Sequence, residues 1–299
     1  MAKMTFPIPD QALAFTIPAQ NARGRLVRLG ATLDAILSAH NYPPAIEKVL
    51  GEALVLAALL GATLKDAGGQ LTIQAQTENG VIGLLVADYR GGALRGYVRH
   101  DPDRLGELPA DPSLFALFGK GYLAITFDQA VTGERYQGIV PLEGGSLADA
   151  AQSYLAQSEQ IPSLIRIGIA RTPQGCVAGG MMLQHLPEGE EGRERLHTRL
   201  DHPEWEHVAA LGGSLRADEL VDPALPLDTL LWRLFNEDEV RVFASPAPAK
   251  GCRCDPDHVA RVIARFPEDE RLAMANDDGL IEVNCEFCSK RFTIEPLAA

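Results

Sequence analysis

The sequence predicts an α+β fold: an antiparallel sheet with segregated helices first, a helical linker next, and a small cysteine-bearing domain last. Strand-length runs separated by Gly- and Asn-containing turns predict the sheet. One strongly apolar helical stretch around residue 50 predicts the layer that packs on it. Four of the five cysteines fall between Cys252 and Cys288, which marks off the last unit.

The first run, Leu13 to Ile17, reads as a strand, followed by a helical stretch ending near His40. Tyr42-Pro43-Pro44 opens a second helix, because proline suits a first turn whose N–H groups have no partner. Ile46, Val49, Leu50, Ala53, Leu54, Ala57, Leu60 and Leu64 recur at helical spacing, and Gly68-Gly69 is its expected end. Leu71–Thr77, Val81–Asp88 and Ala93–His100 then read as a meander turning at Asn79-Gly80, a two-residue hairpin signal, and at Gly91-Gly92. Tyr122–Asp128 with Arg135–Val140 forms a further pair. Ser146 to Asp149 resembles a capping box, and Leu164–Ala170 with Cys176–Gln184 folds across Pro173-Gln174-Gly175. This α+β domain is expected to span residues 1–185.

From Glu188 to Glu219 the chain carries nine acids and four bases, far denser than the 22% charged overall. Leu196, Leu200, Val208 and Leu211 give only a thin apolar stripe. Residues 186–239 therefore read as a marginal helical linker that needs a neighbouring surface, or as a plain solvated connection. Leu227–Phe235 is a clearer amphipathic helix and Val240–Phe243 a short strand. Ser245-Pro246-Ala247-Pro248 precedes the cysteines, inside a last unit expected over 240–299.

Composition narrows the function classes. A net charge of −13 argues against phosphate-backbone binding as the main activity. The N-terminus lacks the apolar core of an export signal, and the longest apolar stretch, Leu54 to Ala62, is far short of the roughly 20 residues that span a bilayer. A cytoplasmic protein without membrane contact is expected, and in that reducing setting clustered thiols serve metal binding or redox chemistry.

Cys252-Arg253-Cys254 and Cys285-Glu286-Phe287-Cys288 are two close pairs separated by 30 residues. Brought together, Cys252, Cys254, Cys285 and Cys288 would supply the four thiolates of a tetrahedral Zn²⁺ site. Asp255-Pro256 reads as an N-cap and first helical residue, with Val259, Val262, Ile263 and Phe266 on one face. Ile281–Asn284 and Arg291–Ile294 read as a hairpin around the second pair. Lys250, Arg253, Lys290 and Arg291 lie beside the thiols and would favour their ionised form. Three readings stay open on these residues alone: a staple for a domain too small to hold itself together, a redox-active centre, and four unrelated core cysteines. His258 reads as a surface helix residue, and Cys176, alone in a strand pattern, as core.

The same cysteine pattern resembles the heat-shock protein 33 family of redox-regulated chaperones. Leu94-Arg95-Gly96-Tyr97-Val98, Tyr136 to Leu142, Gln157 to Pro162, Ala178-Gly179-Gly180, Arg233 to Glu237 and Ile281 to Cys288 are similar to family stretches, while the first 40 residues are more divergent. The resemblance implies an ATP-independent holdase, not an enzyme. It implies one zinc in the reduced form and oxidation to Cys252–Cys254 and Cys285–Cys288 disulfides with metal release. The linker then loosens and unfolding client proteins bind. It names no client-binding residue, and a homodimer of the oxidised form is left open.

Two other classes compete. A nucleic-acid-binding Cys₄ module is disfavoured by the acidic residues around the cysteines. A hydrolase or transferase could draw on Asp88, Asp128, Glu143 or His100, yet the chain lacks a phosphate loop and a nucleophile elbow.

Overall fold

The computed structural model describes residues 8–64, 68–186 and 203–296. Its strands are β1 (Gln11–Ile17), β2 (Ala22–Leu29), β3 (Gln70–Thr77), β4 (Ile82–Arg90), β5 (Ala93–His100), β6 (Gly121–Asp128), β7 (Arg135–Pro141), β8 (Ser163–Thr172), β9 (Gly175–His185), β10 (Arg241–Ala244), β11 (Ala249–Lys250), β12 (Ile281–Asn284) and β13 (Arg291–Ile294). Its helices are α1 (Ala31–Leu37), α2 (Pro44–Gly61), α3 (Pro102–Gly106), α4 (Leu114–Phe118), α5 (Leu147–Gln157), α6 (Pro203–Gly213), α7 (Ala217–Val221), α8 (Leu227–Phe235), α9 (Pro256–Ile263) and α10 (Glu268–Ala273). The expected α+β class is the one observed.

One sheet runs β10-β1-β2-β9-β8 and a second β11-β5-β4-β3-β6-β7, and β12-β13 is a separate hairpin. Every pairing is antiparallel except β11 on β5. Helix α2 is buried nearly all round, from Ile46 to Gly61, and shares one core with residues of both large sheets, among them Val27, Ile73, Leu85, Ile125 and Ala178. A helix apolar on every side is one packed on more than one side.

Three sequence expectations are corrected. The stretch between Ile17 and His40 is not all helical: Ala22–Leu29 is strand β2, and only Ala31–Leu37 is helix. Arg23 and Arg25 alternate with Ala22, Gly24 and Leu26, a period of two that the arginines disguise. Helix α2 ends at Gly61 rather than at Gly68-Gly69. Asn79-Gly80 does not form a two-residue hairpin turn, since neither is among the residues with positive φ. Instead Thr77 Oγ1 accepts from the N–H groups of Asn79 and Gly80, at 3.1 and 2.7 Å. The left-handed pair sits at Gly91 and Gly92, φ 54° and 87°, where the next hairpin closes as expected.

Glu52 on α2 accepts a hydrogen bond from the N–H of Ala148, at the start of α5 (2.9 Å). Burial pushes its carboxyl up to about 7 against the hydrogen bond's pull. A raised carboxyl contributes stability that is fully present below its unfolded value near 4.5 and is lost as pH rises through 7. Glu52→Gln should therefore gain stability over the parent between pH 5 and pH 8. The gain is about 1–2 kcal/mol, discounted from the full shift for partial exposure. Urea midpoints at the two pH values test this; a constant difference between the proteins would refute it.

Helices α6, α7 and α8 cover the face of the first sheet turned away from α2. Trp205, Val208, Leu220, Leu230 and Phe235 bury Phe15, Ile17, Leu26, Met181 and Leu183 there. Of the stripe read from the sequence, Val208 is buried, Leu211 packs at the margin of this cluster, and Leu196 and Leu200 lie outside the described residues. Arg28 of β2, 2% exposed, donates to the carbonyls of Leu220 and Leu225 (both 2.9 Å) and of Glu219 (3.4 Å). Helix α7 also rests backbone to backbone on two cross-strand partners, Gly168 and Gly179. A Cβ on Gly168 would come 2.1 Å from Ala217 O, and one on Gly179 2.4 Å from Leu220 O.

Candidate metal centre

The chain reaches its cysteines through β10 beside β1 and then β11 beside β5, where Ala249 N–H donates to Gly92 O and Gly251 N–H to Leu94 O. This extended segment delivers Cys252-Arg253-Cys254 directly to Asp255. Asp255 accepts from Asp257 N–H and caps α9, with Pro256 in the first turn as expected. The second pair sits in the turn of the β12–β13 hairpin, also as expected. Cys285 N–H donates to Lys290 O, and Cys285 O accepts from the N–H groups of Cys288 and Ser289.

The structure brings the four thiols together. Cys252 Sγ lies 3.6 Å from Cys285 Sγ, Cys254 Sγ 3.6 Å from Cys288 Sγ, and all four sulfurs are within 4.8 Å of one another. Metal–sulfur bonds of about 2.3 Å in a tetrahedron place sulfurs about 3.8 Å apart, so the residues fit such an ion. As thiols the four conflict. Burial, then the neighbouring thiols, push Cys254 up to about 12, and burial also raises Cys285. Burial opposes ionisation of Cys252 too, but hydrogen bonds from Cys254 N–H and the other thiols hold it below its ordinary value. A divalent cation removes the conflict by letting all four ionise.

The four flanking cations each have partners of their own, and Arg253 also interacts electrostatically with Cys252. Lys250 Nζ donates to Ala35 O, Arg253 turns to Gln70 and Asp88, Arg291 pairs with Glu282, and Lys290 lies over the Phe292 ring. Helix α9 does not bury its apolar face: Val262 and Phe266 are exposed. Among the described residues after Val240, the buried side chains are Pro248, Ile281, Phe292 and Pro296. Packing alone gives this region almost no core.

The cluster is docked on the second sheet. Arg253 reaches Gln70 Oε1 (2.9 Å) and Asp88 Oδ2 (3.2 Å). Phe287 stands edge-on to Tyr97, 4.9 Å between centroids, beneath the Arg95 guanidinium at 3.8 Å. His40 Nε2 lies 3.3 Å from Phe287 O, and its Nδ1 lies 3.2 Å from Ser289 Oγ. Sequence reasoning missed this footing. It was half legible, because the tight Gly91-Gly92 hairpin places Asp88 opposite Arg95.

The other candidates are kept apart by their own partners. Asp88 pairs with Arg95, Asp128 with Arg135, His100 stands against Tyr42, and Glu143 is exposed after β7. Cys176 is buried in β9, and its N–H donates to Asp34 Oδ1 (2.7 Å). It lies outside the thiol cluster, so Cys176→Ser should leave metal stoichiometry unchanged. Metal loss in that variant, measured by elemental analysis, would contradict this.

The comparisons with known proteins place these observations. The family model described as Hsp33 protein matches residues 10–295. The chain belongs to the Hsp33 family. A relative from Caulobacter vibrioides, named 33 kDa chaperonin, is 40% identical over 100% of this chain and 99% of its own. One from Yersinia pestis with the same name is 34% identical over 96% and 92%. The crystal structure of the Thermotoga maritima Hsp33 homologue superposes with a TM-score of 0.78 at 25% identity, covering 96% of this chain and 95% of that one.

Proposed function

We propose that the chain is a redox-regulated, ATP-independent holdase chaperone of the cytoplasm. In this reading residues 1–185 form the client-binding core, 186–239 the connector, and 240–299 the switch. The observation that carries it is the meeting of two cysteine pairs, 33 residues apart from Cys252 to Cys285, within a region that has almost no core.

In the reduced state Cys252, Cys254, Cys285 and Cys288 hold one Zn²⁺, which supplies a cross-link that the apolar residues cannot. Structural zinc in small domains is worth about 10–16 kcal/mol of apparent binding free energy. Oxidation by a peroxide makes Cys252–Cys254 and Cys285–Cys288 disulfides. Each thiolate pair gives up two electrons to one peroxide, which takes two protons from solvent and leaves as two waters, and the zinc departs as Zn²⁺. Two small rings replace a long-range tie, and small rings constrain the chain little. Once the connector loosens, the face around Phe15, Leu26 and Met181 is uncovered, and an unfolding client binds this contiguous apolar surface. Among the described residues no helix is long and apolar enough to cross a membrane.

The test is paired quantification of zinc and free thiols before and after peroxide, beside a client-aggregation assay. One zinc and four reactive thiols should disappear as aggregation suppression appears. Absence of metal from freshly reduced protein with those thiols free would sink the reading. Two sulfur contacts of 3.6 Å cross between the pairs, Cys252 to Cys285 and Cys254 to Cys288. Peptide mapping without reductant should nonetheless find the two near-neighbour disulfides, and crossed disulfides would overturn that pairing.

A further inference from the structure

Each cysteine pair sends one of its intervening residues away from the sulfurs and into the same patch of the second sheet. From the first pair, Arg253 reaches Asp88; from the second, Phe287 enters between Tyr97 and Arg95. The two meet at Arg95, which binds Asp88 (2.6 Å) and covers the Phe287 ring. Both visitors lie within one or two positions of a cysteine on either side, so a shared centre fixes their backbones together. If each pair closes on itself, nothing obliges the two to arrive at Arg95 at once.

The receiving patch is complete without them. Asp88 is 2% exposed, yet it already accepts from Thr72 Oγ1 (2.8 Å) and from its cross-strand partner Arg95. Withdrawing Arg253 therefore strands no buried charge, the event that makes breaking an ion pair expensive. The docked state carries a burden of its own. Two guanidinium groups share one carboxylate, and Arg253 Nη1 is buried without a hydrogen-bond partner. Such a contact holds while the cysteines deliver Arg253 to it and parts readily once they do not.

We propose that Arg253 and Phe287, converging on Asp88, Arg95 and Tyr97, form an autoinhibitory latch that keeps the reduced cluster seated on the β4–β5 face. The proposal rests on the redox reading above and adds the contact through which a change at the sulfurs reaches the core. Chemistry at the cysteines opens the latch, but the latch residues take no part in binding metal.

The test uses full-length, reduced, zinc-loaded protein carrying Arg253→Gln on the switch side or Tyr97→Ala on the core side. Both variants should keep one zinc per chain. Their amides at Ala249 and Gly251, which bond to Gly92 and Leu94, should exchange at least tenfold faster than in the parent. Activation by a fixed peroxide dose should be at least threefold faster, and the double variant should exceed either single one. Parent-like exchange and activation in both variants would overturn the latch, as would loss of zinc from both, which would assign these residues to metal retention. Thermal melts identify a variant that fails to fold, and the other then decides. If the unsubstituted protein neither loses zinc nor gains activity with peroxide, the redox reading fails independently of the latch.

Discussion

Replacing Cys285 by serine in the reduced protein is expected to weaken zinc binding more than a hundredfold and to lower amide protection from residue 249 to 296, while residues 8–64 and 68–186 keep theirs. One ligand of four carries roughly a quarter of the site's binding free energy, about 3 kcal/mol, which is more than a hundredfold in affinity. Ile281, Phe292 and Pro296 are the buried apolar side chains left to hold this segment, and so few cannot offset the entropy of ordering it. Peroxide on the unsubstituted chain should produce the same pattern in two stages. The cysteine-bearing region loses protection first, and the connector helices α6 and α7 follow. Hydrogen exchange before and after treatment resolves the order. If α6 and α7 keep their protection while aggregation suppression rises, release of the connector is not the activating step.

A comparable effect is expected outside the thiol cluster, on β9. Gly179→Val should lift α7 from its seat in fully reduced, zinc-loaded protein. The new Cβ would meet a backbone carbonyl, Leu220 O, at 2.4 Å, and no side-chain rotation can relieve that clash. Overpacking of this kind costs about 1–3 kcal/mol, enough to raise connector exchange roughly ten- to a hundredfold. Aggregation suppression should then appear without oxidant and with zinc retained. Gly83→Ala is the control, since nothing lies within 4 Å of a Cβ there. A Gly179→Val protein as inactive as the parent, with α7 still protected, would separate the connector from activity.

The thiol cluster was legible in the sequence because ligand spacing is local: two close pairs, a capping Asp255-Pro256 and a hairpin pattern are each read within a few residues. Strands with clean alternation, such as Leu71–Thr77, and the all-round apolar helix α2 were legible for the same reason. Strand β2 was not, because Arg23, Arg25 and Arg28 hide its period, and the buried Arg28 finds its partners about 190 residues away. Of the cluster's footing, the Asp88–Arg95 pairing across the Gly91-Gly92 hairpin was within reach of the sequence and the contact from Arg253 was not. Asp88 reads as any acid near a turn until the fold places Arg253 beside it, and no local pattern records a contact across 165 positions. Apolar periodicity misled at α9, where a stripe that usually marks a core face stays largely in solvent.

The path between the two large sheets has a last consequence. Strand β10 completes one side of the first sheet through Leu13, Ala14, Phe15 and Thr16 of β1, and β11 completes one side of the second through Ala93 and Leu94 of β5. The same ten-residue stretch thus occupies the hydrogen-bonding rims of both. Its departure leaves two rows of main-chain donors and acceptors open to any extended strand, whatever that strand's side chains.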